Sequence, residues 1–448
     1  MIELNDQLAI AVGTEIAGQD PEALAALAGT PFYVYDLDAV TRRVEALRAT
    51  LPARMELAYA VKANPALAVV AHLGSLGVGA DIASAGELEL VSRAGIGPER
   101  VLFTGPGKSD AELQAALNAG IRAVTVESPG ELERLEALAR AAGRRPPILL
   151  RLAVGERSRH EAVRIIGDAG AGKFGMGADD LRASAARAVA SRHLDLLGVH
   201  AFGASNLRDA DALVEHVAET VRFAAEIATA VGVELRLVDA GGGLGIPYSD
   251  NESPLDLDRL ARGLAALADE WSEDPRLASL RVLLEPGRFL VGPTGAYVTR
   301  VVDVKRLNGR TVAVVDGGIH HVLRPTLVRQ AHRMVAVGRA RSAATAGGGF
   351  ERPDGGGSHR GEIERVAVAG PLCTGLDILS PDAPVGDVRP GDLLAVLDVG
   401  AYGFTESMPL FLSRPLPAEI VARGGRSALV RPPIDPREFL DRQRLPDW

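Results

Sequence analysis

Alternation constrains this chain most. Over about 250 residues, apolar strand-like runs take turns with amphipathic helix-like runs. PFYVYD (31–36) precedes a helix at about 37–50, and MELAYAVKAN (55–64) precedes one at about 66–75. GVGADIAS (77–84), VLFTG (101–105) and RAVTVES (122–128) each lead into a further helical stretch, and PILLRLAV (147–154) follows. LDLLGVHAFG (194–203) precedes a long helix at about 208–231. ELRLVDAGGG (234–243) comes before a helix near 255–272, and LRVLLEPGR (280–288) closes the series. Such repetition predicts a (β/α)8 barrel, with a doubly wound sheet as the alternative. After Arg288 the runs become short and β-branched, with Gly and Pro punctuation, which predicts a separate all-β region. The predicted layout is an N-terminal segment, 1–30, packing with the β region, a barrel over 31–285 and a β domain over 286–448. The Gly-rich stretch 342–362 reads as a surface loop rather than a phosphate cradle, because no strand leads directly into a helix there.

Composition removes several function classes. The chain has 448 residues, 47% apolar and 24% charged, in the range of soluble globular proteins. A formal charge of −9 leaves no electrostatic footprint for nucleic acid. No apolar run reaches the length of a membrane span, and the acidic N-terminus does not suit a secretory signal, so a cytoplasmic protein is expected. The single cysteine, Cys373, excludes an internal disulfide, and no His-rich spacing suggests a metal.

Chemistry-bearing residues gather at predicted strand ends, which form the active face of a barrel. Lys62 ends the apolar run Leu57–Val61. It is either a desolvated amine, reactive towards an aldehyde, or a lysine reaching past the strand into solvent. Gly241-Gly242-Gly243 lets backbone N–H groups approach a phosphate, or simply makes a tight connection. Glu285-Pro286-Gly287-Arg288 offers a carboxylate for a protonated ring nitrogen and a cation for an anion, or a Glu–Arg pair capping the barrel. In the β region, Cys373 is a nucleophile or a small buried hydrophobe. Tyr402, in Gly400-Ala401-Tyr402-Gly403, reaches a phosphate or packs.

Taken in order, Tyr59–Asn64, Gly241–Gly243, Glu285–Arg288, Cys373–Asp377 and Gly400–Tyr402 resemble the fold-type III pyridoxal-phosphate decarboxylases, a group that includes diaminopimelate, ornithine and arginine decarboxylases. The resemblance covers roughly residues 25–415. It implies an alanine-racemase-like barrel with a C-terminal β domain, and head-to-tail homodimers with shared active sites. It also implies pyridoxal 5'-phosphate as cofactor, with Lys62 as the Schiff-base lysine and Glu285 on the pyridine nitrogen. Gly241, Gly242, Gly243, Gly287, Arg288 and Tyr402 would hold the cofactor, chiefly its phosphate, with Ser205 joining them. Asp81 matches an acidic position near the lysine. Cys373 would come from the partner subunit to deliver a proton, and Asp316, Thr374 and Asp377 would lie towards substrate. Glu285 argues against a racemase on the same fold, which pairs that nitrogen with arginine. Lys62, Glu285 and Cys373 together argue against a non-catalytic cofactor-binding protein.

Two departures from the family pattern bear on specificity. Phe202 stands where the family has a histidine stacked on the cofactor ring. His200, two residues earlier on the same strand face, is either a nearby polar group or a satisfied core histidine. Thr374 stands where diaminopimelate and ornithine decarboxylases carry Glu or Asp for the distal ammonium of the substrate. A neutral hydroxyl cannot replace that carboxylate. The pattern looks most like a branch from natural-product and exopolysaccharide gene clusters. That branch includes the butirosin-type decarboxylase, which acts on an amino acid tethered to a carrier protein. The expected substrate is an amino acid or its conjugate, and diaminopimelate is the alternative.

Overall fold

The first strand, β1 (Phe32–Asp36), departs from the predicted barrel. In the computed structural model, which describes residues 9–153, 172–203, 205–338 and 364–448, β1 pairs with strands of the second domain. All five of its residues are buried. A strand covered on both faces reads as a continuous apolar run in either kind of sheet, so its sequence could not say which one it joins. The barrel therefore starts at β2 (Met55–Ala60), not at residue 31. The Gly-rich stretch 342–362 lies outside the described residues.

From β2 the chain runs through β3 (Gly79–Ile82), β4 (Val101–Phe103), β5 (Ala123–Val126) and β6 (Pro147–Leu152). It continues through β7 (Asp195–Ala201), β8 (Leu237–Asp239) and β9 (Arg281–Leu284). Every neighbouring pair is parallel, and β9 pairs with β2, so the sheet closes. Closure excludes the doubly wound alternative. The connecting helices start where the sequence offers caps. Ser84, Ser109, Ser128, Asp209 and Asp256 each accept a backbone N–H of the first turn, and Ser109 with Glu112 forms a reciprocal capping box.

Inside the barrel Ala58, Leu102, Ala123, Leu149, Leu237 and Leu283 make one dry layer. Side chains alternate along a strand, so the residue two positions on lies on the same face, one layer higher. Those residues are Ala60, Thr104, Thr125, Arg151, Asp239 and Glu285. An apolar floor thus carries a polar layer at the C-terminal mouth. In β7 an irregularity opposite Ile148 and Leu149 brings Gly198 level with Leu149 and Leu237, and His200 level with Asp239. A Cβ at Gly198 would sit 1.6 Å from the Leu237 carbonyl oxygen, so the two strands meet there on bare backbone.

The second unit is a nine-stranded mixed sheet. Its central path, β14–β13–β11–β10–β1–β16–β17, uses β10 (Gly295–Leu307), β11 (Arg310–Val315), β13 (Val366–Ala369), β14 (Ile378–Ala383), β16 (Ala418–Arg423) and β17 (Arg426–Arg431). The strands β12 (Met334–Val337) and β15 (Leu393–Val396) pair with each other, and β15 also joins β10. Ile10, Ile16 and the helix Pro21–Ala28 pack Leu24, Ala25 and Ala28 against Phe32, Val34, Val298, Ala395 and Ile420 of this sheet. Among the described residues, those within Val40–Pro247 and Ser253–Val291 form the barrel unit, and the rest form the β unit.

Candidate active site

The polar layer of the barrel holds most of the expected site residues. Lys62 sits on a single 3-10 turn, Val61–Ala63, just past β2. Of the two readings left open for it, the structure favours the lysine that reaches towards solvent: its side chain keeps 45% of its surface exposed. Its ammonium donates to Asp81 Oδ2 at 2.8 Å. Asp81 is fully buried at the end of β3, and Thr104 donates to its other oxygen at 2.6 Å. Burial and the nearby Glu285 push the Asp81 carboxyl up, and Lys62 opposes them. An accessible amine oriented by a buried carboxylate is suited to condense with an aldehyde.

Opposite Lys62 lies a buried trio. His200, Asp239 and Glu285 each place one donor or acceptor atom within 4.8 Å of the other two. His200 Nε2 is 3.7 Å from Glu285 Oε2. Both His200 ring nitrogens, Glu285 Oε1 and Asp239 Oδ2 are buried with no partner at hydrogen-bond distance. The satisfied core histidine is therefore corrected: His200 is a polar neighbour of Glu285. Burial pushes the Glu285 carboxyl up, but the His200 ring, the Lys62 ammonium and the neighbouring Asp239 carboxyl outweigh it and hold the group at about 2. Asp239 goes the other way, driven well above the carboxylate range by burial and then by Glu285. A buried carboxylate with a free lone pair is costly unless something fills it. Glu285 Oε1 is such an acceptor, and a protonated pyridine nitrogen is a fitting donor.

Next to the trio runs the glycine loop. Asp239 Oδ1 accepts the Gly241 N–H at 2.9 Å, and Gly241 O accepts the Glu285 N–H at 2.7 Å. A Cβ at Gly242 would lie 2.3 Å from the Glu285 carbonyl oxygen, so only glycine fits this close approach. Gly241 and Gly243 both have positive φ. Beside them, Leu207 N–H donates to Gly243 O and Gly245 N–H to Leu207 O, both at 2.8 Å, so the loop carrying Ser205 lies along the glycines. Phe202 sits half-buried against Gly241. Arg288, buried, opens the short helix Arg288–Val291. Gly287 has a packing reason of its own: a Cβ there would meet Ala63 Cβ at 2.8 Å and Ala60 Cβ at 3.1 Å. It lets the Glu285–Arg288 turn press against the Lys62 turn.

In the β unit the expected residues divide differently. Asp316 is a strand joint: Thr30 and Thr299 donate to it at 2.5 and 2.6 Å, and the Arg300 N–H at 2.9 Å. Asp377 is likewise engaged: its oxygens accept Ile319 N–H at 2.8 Å and Leu372 N–H at 2.7 Å. It pins the turn that presents Cys373 and Thr374. Cys373 is exposed, so the small buried hydrophobe is corrected too. Thr374 is half-buried, and its hydroxyl accepts the local Leu376 N–H at 3.3 Å. Tyr402 takes a left-handed φ of 54°, an uncommon conformation for a side chain of its size, and Arg324 lies over its ring at 5.2 Å.

The sequence reading missed Asp239, Thr104 and the polar layer between them. Lys108 is fully engaged there, donating to Gly105 O, Thr125 O and Glu131, while Glu127 takes Arg151 and the Gly105 N–H. The signal was present in the period of two that places Asp239 above Leu237. No described helix is long and apolar enough to cross a membrane.

Comparison with known proteins converges on the same chemistry. Residues 37–292 match the pyridoxal-binding domain of the pyridoxal-dependent decarboxylases. The chain is 32% identical over 402 residues to the L-glutamyl-[BtrI acyl-carrier protein] decarboxylase of Niallia circulans, covering 90% of this chain and 91% of that protein. It is also 32% identical over 448 residues to the diaminopimelate decarboxylase of Methanothermobacter thermautotrophicus, covering 99% and 98%. The structure of Helicobacter pylori diaminopimelate decarboxylase complexed with L-lysine superposes with a TM-score of 0.80 at 28% identity, covering 94% of this chain and 98% of that one. With a lysine, a glycine cradle and an unfilled buried carboxylate in one barrel mouth, the chain belongs to the pyridoxal-phosphate-dependent decarboxylases.

Proposed function

We propose that this enzyme decarboxylates an amino acid whose distal end is conjugated, presented on a carrier protein. The observation that carries this reading is Thr374: a neutral, half-buried hydroxyl on the Asp377-pinned turn, where an acid would be needed to neutralise a free distal ammonium. The relative from Niallia circulans, named for a glutamyl group on an acyl-carrier protein, supports it.

Bound pyridoxal phosphate supplies an electron sink for the carbanion left when CO2 departs. The protein's own residues do the rest. Lys62 carries the cofactor through its amine, and Asp81 orients that amine. Glu285 keeps a carboxylate against the ring nitrogen. The N–H groups of Gly241–Gly243, with Arg288 and Ser205, would receive the phosphate. Phe202 offers a flat apolar face in place of a stacking histidine. Cys373 gives the proton that completes the product, from the partner subunit of a homodimer. Exposed Leu376, Ile378, Met408, Leu410, Phe411 and Leu412, all in the β unit, supply apolar surface for that pairing. We place the enzyme in the cytoplasm.

The test is CO2 release by cofactor-loaded enzyme from free meso-diaminopimelate, lysine, ornithine, arginine and glutamate, and from aminoacyl groups on a carrier protein. Turnover confined to the tethered substrates is the expected result. Rapid turnover of free diaminopimelate would overturn the reading in favour of a diaminopimelate decarboxylase of lysine biosynthesis; several relatives are named diaminopimelate decarboxylase.

A further inference from the structure

Two buried carboxyls face one another at the barrel mouth, and only one of them is needed against the cofactor ring. We propose that Asp239 is a positioning residue that holds the single proton of the Asp239–Glu285 pair, and so leaves Glu285 as the carboxylate offered to the ring nitrogen.

The argument begins with register. Asp239 ends β8, opposite His200 on β7 and Leu283 on β9. Glu285 lies two residues beyond Leu283, on the same inward face. Asp239 has 0% of its surface exposed and Glu285 4%, and both lie within 4.8 Å of the His200 ring. Two carboxylates this close in a dry site cannot both be ionised, so one keeps a proton. The surroundings decide which. Glu285 has His200 Nε2 3.7 Å away, from β7, and feels the Lys62 ammonium from the turn after β2. Asp239 shares the His200 ring with it but has acids on its other sides, Glu285 beside it and Asp81 across from β3, and takes the Gly241 N–H. His216, on the helix Ala210–Val231, donates its Nε2–H to the Ala240 carbonyl oxygen at 3.0 Å and neighbours His200 rather than either acid. The proton therefore sits on Asp239, whose Oδ2 has no other hydrogen-bond partner.

The Asp239 side chain has a second task. Its other oxygen holds the Gly241 N–H, the first of the three glycines proposed for the phosphate. One neutral carboxyl thus links the residue at the ring nitrogen to the loop at the phosphate. Asparagine can imitate both tasks, with a carbonyl for Gly241 and N–H donors in place of the acid proton. Alanine can imitate neither.

This inference rests on the assignment of Glu285 to the ring nitrogen, and the experiment separates the two. The first readout is the infrared difference spectrum of cofactor-free protein at neutral pH, wild type minus Asp239→Asn. A protonated-carboxyl stretch is expected in that difference, and it is expected to survive in Glu285→Gln. Its absence from the difference, or its loss in Glu285→Gln alone, overturns the proposal. Should Asp239→Asn fail to fold, carbon-13 labelling of wild-type aspartates decides instead. One carboxyl must keep the shift of its protonated form at neutral pH, and if none does the proposal fails. The second readout is affinity for pyridoxal phosphate. Asp239→Asn should bind within about threefold of wild type and Asp239→Ala about tenfold or more weakly, the loss of one buried hydrogen-bond partner. Equal weakening in both variants would mean that the proton itself is not what Asp239 supplies. The third is the nitrogen-15 shift of labelled cofactor. An unprotonated ring nitrogen beside an intact infrared band would refute the Glu285 assignment and leave the shared proton standing.

Discussion

The acids of the barrel mouth and the acids of the β unit are built on opposite plans. In the barrel, Asp239 and Glu285 are buried with oxygens that no protein group fills. In the β unit, Asp316 takes three hydrogen bonds and Asp377 takes two backbone N–H groups. A buried polar atom left unpaired costs stability, so it persists where a ligand fills it; a fully paired one serves the scaffold. Sorted this way, Asp239 and Glu285 keep an acceptor open to a ligand, whereas Asp316 and Asp377 hold strands and turns.

The sharpest test of the barrel mouth is Lys62→Ala. It should abolish the protein-linked cofactor absorbance and reduce decarboxylation more than any other single change. The melting temperature should stay near wild type, because the Lys62 side chain keeps nearly half of its surface exposed and its bond to Asp81 is at the solvent edge of the barrel mouth. An unchanged cofactor spectrum would remove Lys62 from the site.

Glu285→Gln and Asp377→Ala should then move in opposite directions. Glu285→Gln should cut turnover by roughly 10²–10³-fold, the scale on which a preorganised electrostatic group acts, while the protein stays folded. Asp377→Ala leaves two backbone N–H groups unpaired and should lower stability by about 2–4 kcal/mol in denaturant unfolding, with activity falling through the turn that carries Cys373. Reversal of the two phenotypes would break the comparison.

The pH dependence gives that contrast a sign. Glu285 is held at about 2, below its ordinary value of 4.5. Its contribution to stability is fully present above about 4.5 and is lost as pH falls towards 2. Asp377 is pushed up by burial against its N–H partners, so its ionisation opposes folding. Stability on its account is greatest below the ordinary aspartate value of 3.8 and declines as pH rises through its elevated one. The stability difference between wild type and Glu285→Gln should therefore be constant above about 4.5 and shrink as pH falls towards 2. A difference that stays constant through that acid window would assign the depressed carboxyl to another residue.

Much of this contrast was legible in the chain. The alternation of strand and helix, the lysine after an apolar run, the glycine triplet and Glu285–Arg288 all lie on local patterns that a single strand or turn dictates. What stayed hidden depends on pairing. Strand β1 reads like its barrel neighbours because it is buried on both faces, yet it joins β10 and β16. His200 looked satisfiable until the irregularity in β7 turned it towards Glu285. Asp239 was seen only as the residue before a glycine turn, because its meaning comes from Glu285, 46 positions later in sequence and reached through β9. Asp316 and Asp377 show the same limit: donors from distant segments reach a carboxylate beside glycines, and they appear only with the fold.

The mildest expected effect falls on Thr374, and it bears on what the paired acids leave for substrate. The turn is pinned by Asp377 and is independent of the side chain at 374, whose hydrogen bond is local. Thr374→Glu should therefore leave the unfolding transition unchanged. A new carboxylate there restores a partner for a distal ammonium, and one charge-assisted hydrogen bond corresponds to about tenfold or more in kcat/KM for free diaminopimelate. The gain should appear chiefly in KM, because the distal ammonium is bound alike in substrate and transition state. Turnover of a carrier-bound aminoacyl substrate should fall in the same variant, since its conjugated end carries no cation to meet the new charge. A variant that loses the tethered substrate without gaining the free one would show that the 373–377 turn excludes diaminopimelate by shape, and that Thr374 contributes through its size rather than its neutrality.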